Sequence, residues 1–316
     1  MYRISTTRCG VVLIPLLPAI PRISLNHHLH RNRLWTKRCA LHADATPCTT
    51  DENVLPNLVS WLVANGAVGL GPTEGLGLFN DPTTGERGLA CAAPWTPAPS
   101  ILARVPLRLA LVDVDGDKED VFSYDDAPWS VRLACKLLRE RAKGPASPWS
   151  HYIAALPVQV PRALDTLRWD SGLALAREYP AMARLIDEAA WLEADAWARL
   201  SPEATGGSTR DEFGWAMGVC HSRAFATPGR ESKSIRMLIP LVDMINHAGD
   251  IAFTGPGGGF EPFDNLEWKV VAPGANGNNT DEWAIHLISR VDGADDPVVG
   301  QEVFMSYGER VSTWSW

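Results

Sequence analysis

Ten consecutive residues, Leu238-Ile239-Pro240-Leu241-Val242-Asp243-Met244-Ile245-Asn246-His247, constrain this chain more than any other stretch. The first half is an apolar run interrupted by a proline, the pattern of a buried strand or its edge. The second half ends in Asp, Asn and His, residues that turn a chain and offer polar atoms. Alone, the stretch reads equally well as a strand followed by an Asx-type turn. If instead an apolar strand carries the Asn-His pair into an interior, the arrangement is costly unless something there hydrogen-bonds to it.

A second stretch tips the balance. Gly300-Gln301-Glu302-Val303-Phe304-Met305-Ser306-Tyr307-Gly308 follows, with Tyr307 sixty residues after His247 (307 − 247). In order and spacing the two resemble the signatures of SET-domain methyltransferases. The closest branch is the plant Rubisco large-subunit lysine methyltransferase group, whose pattern runs roughly P-x-x-D-x-x-N-H and then G-E-x-V-x-x-x-Y. The resemblance covers residues 55–310, with a longer stretch between the signatures than is usual. It implies a mostly β fold with a helical insertion (α+β), a SET domain of small sheets with a threaded C-terminal segment. The insertion falls at about 158–210 in a domain of residues 55–316.

The resemblance also implies a chemistry, methyl transfer from S-adenosyl-L-methionine to a lysine of a protein substrate; histidine is the other target known in the group. Tyr307 is then the catalytic residue, at the mouth of the methyl-transfer channel. Arg223, in the stretch Ser222-Arg223-Ala224-Phe225, takes the cofactor carboxylate, a task that suits a planar, permanently charged fork. Read without the resemblance, an arginine at a helix end is a solvated charge at the negative pole of the dipole. Asn246 and His247 hold the adenine, Glu86, Arg87 and Gly88 the rest of the methionine portion, and Asp243 lines the substrate side.

Glycine-rich Gly69-Leu70-Gly71-Pro72-Thr73-Glu74-Gly75-Leu76-Gly77-Leu78 lacks the ending of a phosphate loop and reads plainly as a hairpin. With the later signatures, Glu86-Arg87-Gly88-Leu89 and the strand from Ile101 to Leu109 resemble the opening hairpin of the domain. The competing Glu74-Gly75-Leu76-Gly77-Leu78 is the better literal match but lies too far from Val105-Pro106. Elsewhere, Leu58, Trp61 and Leu62 share a face of a short helix, and residues 131–140 read as another. Leu185, Ala189, Leu192, Ala196 and Leu200 recur at helical spacing as packing residues. Thr209-Arg210-Asp211-Glu212 is a capping box, opening a helix whose apolar face is Phe213, Ala216, Met217 and Cys220. His151 reads as structural. Residues 268–271 and 283–288 read as short strands between loops.

Residues 1–43 hold seven basic side chains and no acid, and residues 11–20 are an apolar run too short to span a bilayer. Residues 1–45 are therefore expected to be a disordered targeting leader, for a plastid before a mitochondrion, with a cytoplasmic location if the leader is not functional. Without those seven, 22 basic residues (29 − 7) face 37 acidic ones, a balance of −15 that repels a phosphate backbone and makes nucleic acid an unlikely partner. A protein substrate, no membrane association and a monomer are expected. The scattered cysteines form neither a disulfide framework nor a zinc site. After Tyr307 the family continues into a second aromatic and a helical substrate domain, whereas this sequence reads Gly308-Glu309-Arg310-Val311-Ser312-Thr313-Trp314-Ser315-Trp316. The expectation is that the substrate domain is absent. The rival reading is a non-catalytic SET-like module that binds a protein, or an inactive truncated product.

Overall fold

The computed structural model describes residues 53–80, 87–94, 100–113, 127–160, 178–228, 234–247, 252–253, 260–261, 265–275, 281–290 and 299–306. The expected leader and the chain after Ser306 lie outside the described residues, as do Glu86 and residues 161–177 of the expected insertion.

The first helix, α1 (Val54–Ala64), buries Leu58 and Leu62, with Trp61 packed partly against the same core. A hairpin follows. β1 (Leu76–Asn80) and β2 (Arg87–Cys91) pair antiparallel from Leu76↔Cys91 to Asn80↔Arg87. The two glycine-rich copies are thus the two sides of one hairpin, as the plain reading of that region had it. The expected pairing of the second copy with the strand from Ile101 is corrected. β3 (Ile101–Pro106) lies at the opposite end of the sheet, on β11 (Ala284–Ser289). Short-range closure through the β1–β2 turn favours the nearer partner.

The principal sheet runs β1-β2-β12-β10-β11-β3, with β10 spanning Leu266–Val271 and β12 spanning Glu302–Met305. β10 and β11, at the places where residues 268–271 and 283–288 read as short strands, pair antiparallel. β12, close to the chain's C-terminal end, is central: β10 runs parallel on one edge, and β2 lies antiparallel on the other. Along that second edge β12 also pairs in parallel with β7 (Asn246–His247), through Phe304↔Asn246 and Met305↔His247. Asn265 fastens this centre: its side-chain oxygen accepts from the Phe304 N–H at 2.9 Å, and its own N–H donates to the Phe304 carbonyl.

A smaller antiparallel sheet, β4-β6-β5, combines Leu111–Asp113, Ser234–Leu238 and Phe225–Pro228. Against it packs α2 (Trp129–Ala142), the helix expected at 131–140, with Val131, Leu133, Ala134, Cys135, Leu137 and Leu138 buried. α3 (Ser150–Ala155) carries the buried Tyr152. α4 (Pro180–Arg199) lies in the expected helical insertion. Ala196 is buried as its spacing predicts, but the stripe is rotated, and Ile186 and Glu193 are buried where Leu185 and Ala189 stay half-exposed.

α5 (Arg210–Arg223) opens on the predicted capping box. The Glu212 N–H donates to Thr209 Oγ1, and the Thr209 N–H donates to the Glu212 carboxylate at 2.8 Å. Phe213, Ala216, Met217 and Cys220 are all buried, on a helix packed against α2. Cys91, Cys135 and Cys220 are buried free thiols; burial pushes Cys135 up to about 12, too high for ready nucleophilic chemistry. No helix among the described residues is long and apolar enough to cross a membrane.

Candidate functional site

The stretch that opened the sequence reading is not one strand. β6 ends at Leu238; Leu241 takes φ 70, in the left-handed region that a branched residue rarely adopts, and Val242–Met244 form a single 3-10 turn. Pro240 cannot donate to a ladder, which stops the strand where it stands. The Asn-His pair then forms β7 rather than a turn, so the Asx-type expectation is replaced. The 3-10 turn tips Asp243 into the core while β7 presents Asn246 beside β12.

Two polar clusters result. In the first, the Asn246 amide donates to Glu302 Oε1 at 2.6 Å and to the Arg87 carbonyl at 3.3 Å. Both amide hydrogens thus have acceptors, which fixes the amide orientation and leaves Oδ1 as its remaining acceptor. Gly88 lies against both partners; a Cβ there would meet Glu302 Oε1 at 2.6 Å and Asn246 Nδ2 at 3.1 Å. His247 Nδ1 is 3.3 Å from the Met305 carbonyl, across the β7–β12 pairing.

In the second cluster, Arg223 is the last residue of α5. Its Nη1 donates to the Asp243 carbonyl at 3.0 Å and to Asp243 Oδ2 at 3.3 Å. The Tyr152 hydroxyl donates to that same Oδ2 at 2.9 Å. The Asp243 side chain is 1% exposed and that of Arg223 is 23%, while Asp243 Oδ1 is buried with no partner. Burial raises the Asp243 carboxyl above the usual carboxylate value, opposed by the Arg223 charge and the Tyr152 hydrogen bond. Burial, reinforced by the Asp243 charge, lifts the Tyr152 phenol well above its ordinary value, so it stays a donor.

The two clusters border one cavity of about 310 Å³, at the lower end of the range of small-molecule sites. Arg87, Arg223, Asp243 and Asn246 line it, together with Gln159 and Ser222. Four of the eight residues expected to form a site, Arg87, Arg223, Asp243 and Asn246, therefore line one cavity. Gly88 adjoins them through Asn246. Glu86 and Tyr307 lie outside the described residues. Sequence reasoning assigned Arg223 and Asp243 to separate sides, whereas the structure joins them in one ion pair. It also missed Tyr152 as a partner of Asp243 and Glu302 as a partner of Asn246. Glu302 carried a signal, its place in the second signature; a tyrosine amid apolar helix residues gave only the hint that its hydroxyl needs an acceptor. His221, two residues before the end of α5, packs half-buried against Trp129, ring centres 5.7 Å apart, and desolvation lowers it to about 4. Among the described residues no group of His, Cys, Asp and Glu could hold a metal ion.

No protein-family model matches the chain, and no curated protein matches its sequence. Its fold is similar to the crystal structure of the SET domain of LSMT bound to lysine and AdoHcy, with a TM-score of 0.52, 18% identity, and coverage of 81% of this chain and 54% of that one. A second similar structure is Rubisco LSMT bound to sinefungin and monomethyllysine, with a TM-score of 0.49, 18% identity, and coverage of 81% and 53%. The chain has the SET-domain fold, and spans about half the length of the solved structures it matches.

Proposed function

We propose that this chain is an S-adenosylmethionine-dependent protein N-methyltransferase whose target is a lysine side chain. The observation that carries the reading is the direct pairing of β7 with β12. It brings the two sequence signatures side by side, next to a cavity lined by Asp243 and Asn246 of the first together with Arg87 and Arg223. The solved structures of similar fold carry lysine or a methylated lysine together with AdoHcy or sinefungin, which supports the same reading.

The residues present fit such a cofactor. Two guanidinium groups on the cavity wall suit a carboxylate. Asn246, on the same wall, commits its amide N–H groups to Glu302 and the Arg87 carbonyl and keeps its side-chain oxygen as an acceptor for ammonium N–H groups. Glycine at 88 leaves the Glu302 and Asn246 side chains the space in which they meet. Arg223 would hold the carboxylate, backbone around Asn246 and His247 the adenine, and Glu86, Arg87 and Gly88 the remaining methionine portion. Bound S-adenosylmethionine supplies an electron-poor methyl group on a sulfonium. The task left to the chain is alignment. Tyr307 and nearby carbonyls orient the attacking amine, Asp243 lines its approach, and the cavity wall excludes water so that the lysine enters without its proton.

Two measurements test this. Calorimetry of the full chain with S-adenosylmethionine should give saturable binding, and labelled methyl groups should pass to lysines of an organelle extract. Absence of binding at millimolar cofactor overturns the reading; binding without any transfer favours a non-catalytic module. Residues 1–43 are proposed to direct plastid import, and a reporter fused to them that stays in the cytosol refutes that part.

A further inference from the structure

We propose that Tyr152 is a positioning residue, whose hydroxyl holds the Asp243 carboxylate so that Asp243 in turn fixes the Arg223 guanidinium on the cavity wall. The proposal rests on the cavity being the ligand site argued above.

Tyr152 is 1% exposed and sits on α3, packed into the core. Phenylalanine would fill that space without the cost of carrying a polar atom inward. The hydroxyl has one acceptor, Asp243 Oδ2, from a residue 91 positions away. Asp243 rides on the 3-10 turn after the strained Leu241, and Arg223 closes α5. A single carboxylate oxygen thus ties α3, the 3-10 turn and α5 together. Arg223 Nη1 is committed to this oxygen and to the Asp243 carbonyl, which sets the plane of the guanidinium and the direction its other donors face. Asp243 Oδ1 has no partner, so the carboxylate is held from one side only. Without the Tyr152 hydroxyl, Arg223 alone would restrain it.

The titratable and charged groups that bear on the cluster are Arg223 and Cys220 from α5, Tyr152 from α3 and Asp243 itself. The Tyr152 hydrogen bond favours the charged form of Asp243, and burial opposes it. Removing the hydroxyl therefore moves protonation of Asp243 to higher pH.

The test uses the full chain with Tyr152→Phe. Ile153→Ala, on the same helix, serves as a variant that perturbs packing without touching the carboxylate. Modification of Arg223 by phenylglyoxal, mapped by mass spectrometry, should accelerate by roughly threefold to tenfold in Tyr152→Phe, the ratio that one hydrogen bond is worth. It should stay at the wild-type rate in Ile153→Ala. The pH midpoint at which Arg223 becomes more reactive should rise in Tyr152→Phe alone. Unchanged reactivity or an unmoved midpoint in a folded Tyr152→Phe chain overturns the proposal; equal effects in Ile153→Ala do so too. If Tyr152→Phe does not fold, Asp243→Asn interrogates the same link, and an unaltered Arg223 rate there overturns it. S-adenosylmethionine affinity should fall by the same factor in Tyr152→Phe. A wild-type chain that binds no S-adenosylmethionine refutes the proposed function but leaves the Arg223 measurements, which need no ligand, to decide the positioning role.

Discussion

Adding one methyl group at Gly88 should uncouple the centre of the sheet from the candidate site. The glycine does not have positive φ, so alanine fits its backbone. By itself, Gly→Ala there would stabilise by about 0.4–1 kcal/mol through the unfolded chain. The opposing effect is steric. The new Cβ would lie 2.6 Å from Glu302 Oε1, inside any real contact distance, and 3.1 Å from Asn246 Nδ2. The carboxylate is the free end of a flexible side chain and swings away cheaply. What is lost is its 2.6 Å bond to Asn246, and a hydrogen bond to a charged group contributes about 1.5–3 kcal/mol. The loss outweighs the gain by about 1–2 kcal/mol, or roughly 2–8 °C in Tm for a domain of this size. Urea and thermal denaturation of Gly88→Ala, Glu302→Ala and the double variant close the cycle. In the Glu302→Ala background, alanine at 88 should be neutral or mildly stabilising, a coupling of about 1–3 kcal/mol. An equal cost in both backgrounds would falsify the account, because it would place the penalty in the backbone rather than in the Asn246–Glu302 bond.

Arg223→Ala should weaken S-adenosylmethionine binding about tenfold to a hundredfold by calorimetry, and should also destabilise by roughly 3 kcal/mol because it strands the buried Asp243 carboxylate. Adding Asp243→Asn should recover most of the stability and none of the affinity. His221 is neutral in the folded protein down to about 4, whereas the unfolded chain takes up the proton near 6.5. Its contribution is therefore present above 6.5 and lost as pH falls toward 4, roughly 3 kcal/mol across that window, and His221→Phe should flatten the acid limb of a stability–pH curve. Tyr307→Phe should leave cofactor affinity intact and reduce turnover about tenfold or more in a single-turnover assay, equivalent to about 1.4 kcal/mol of barrier.

Most of what was legible in the sequence is local. The capping box at Thr209 and Glu212 closes over three residues, so its chemistry is complete within one turn. The apolar face of α5 and the span of α2 follow from helical period alone, because the partner surface need only be apolar. Spaced motifs also carried the identity of Arg87, Gly88, Arg223, Asp243 and Asn246 as a set. Their meeting was decided by tertiary structure. β12 takes β10 on one edge and β2 and β7 in succession along the other, and nothing local specifies which segments fill those edges. The same holds for the hairpin of β1 with β2, where either glycine-rich copy satisfied the pattern and short-range closure favoured this pairing. Leu241 shows the limit most plainly: an isolated leucine avoids φ 70, and it takes that conformation where Asp243 is bound by Tyr152 and Arg223. Those partners come from helices 91 and 20 residues away, and only the folded core brings a hydroxyl, a carboxylate and a guanidinium to one oxygen.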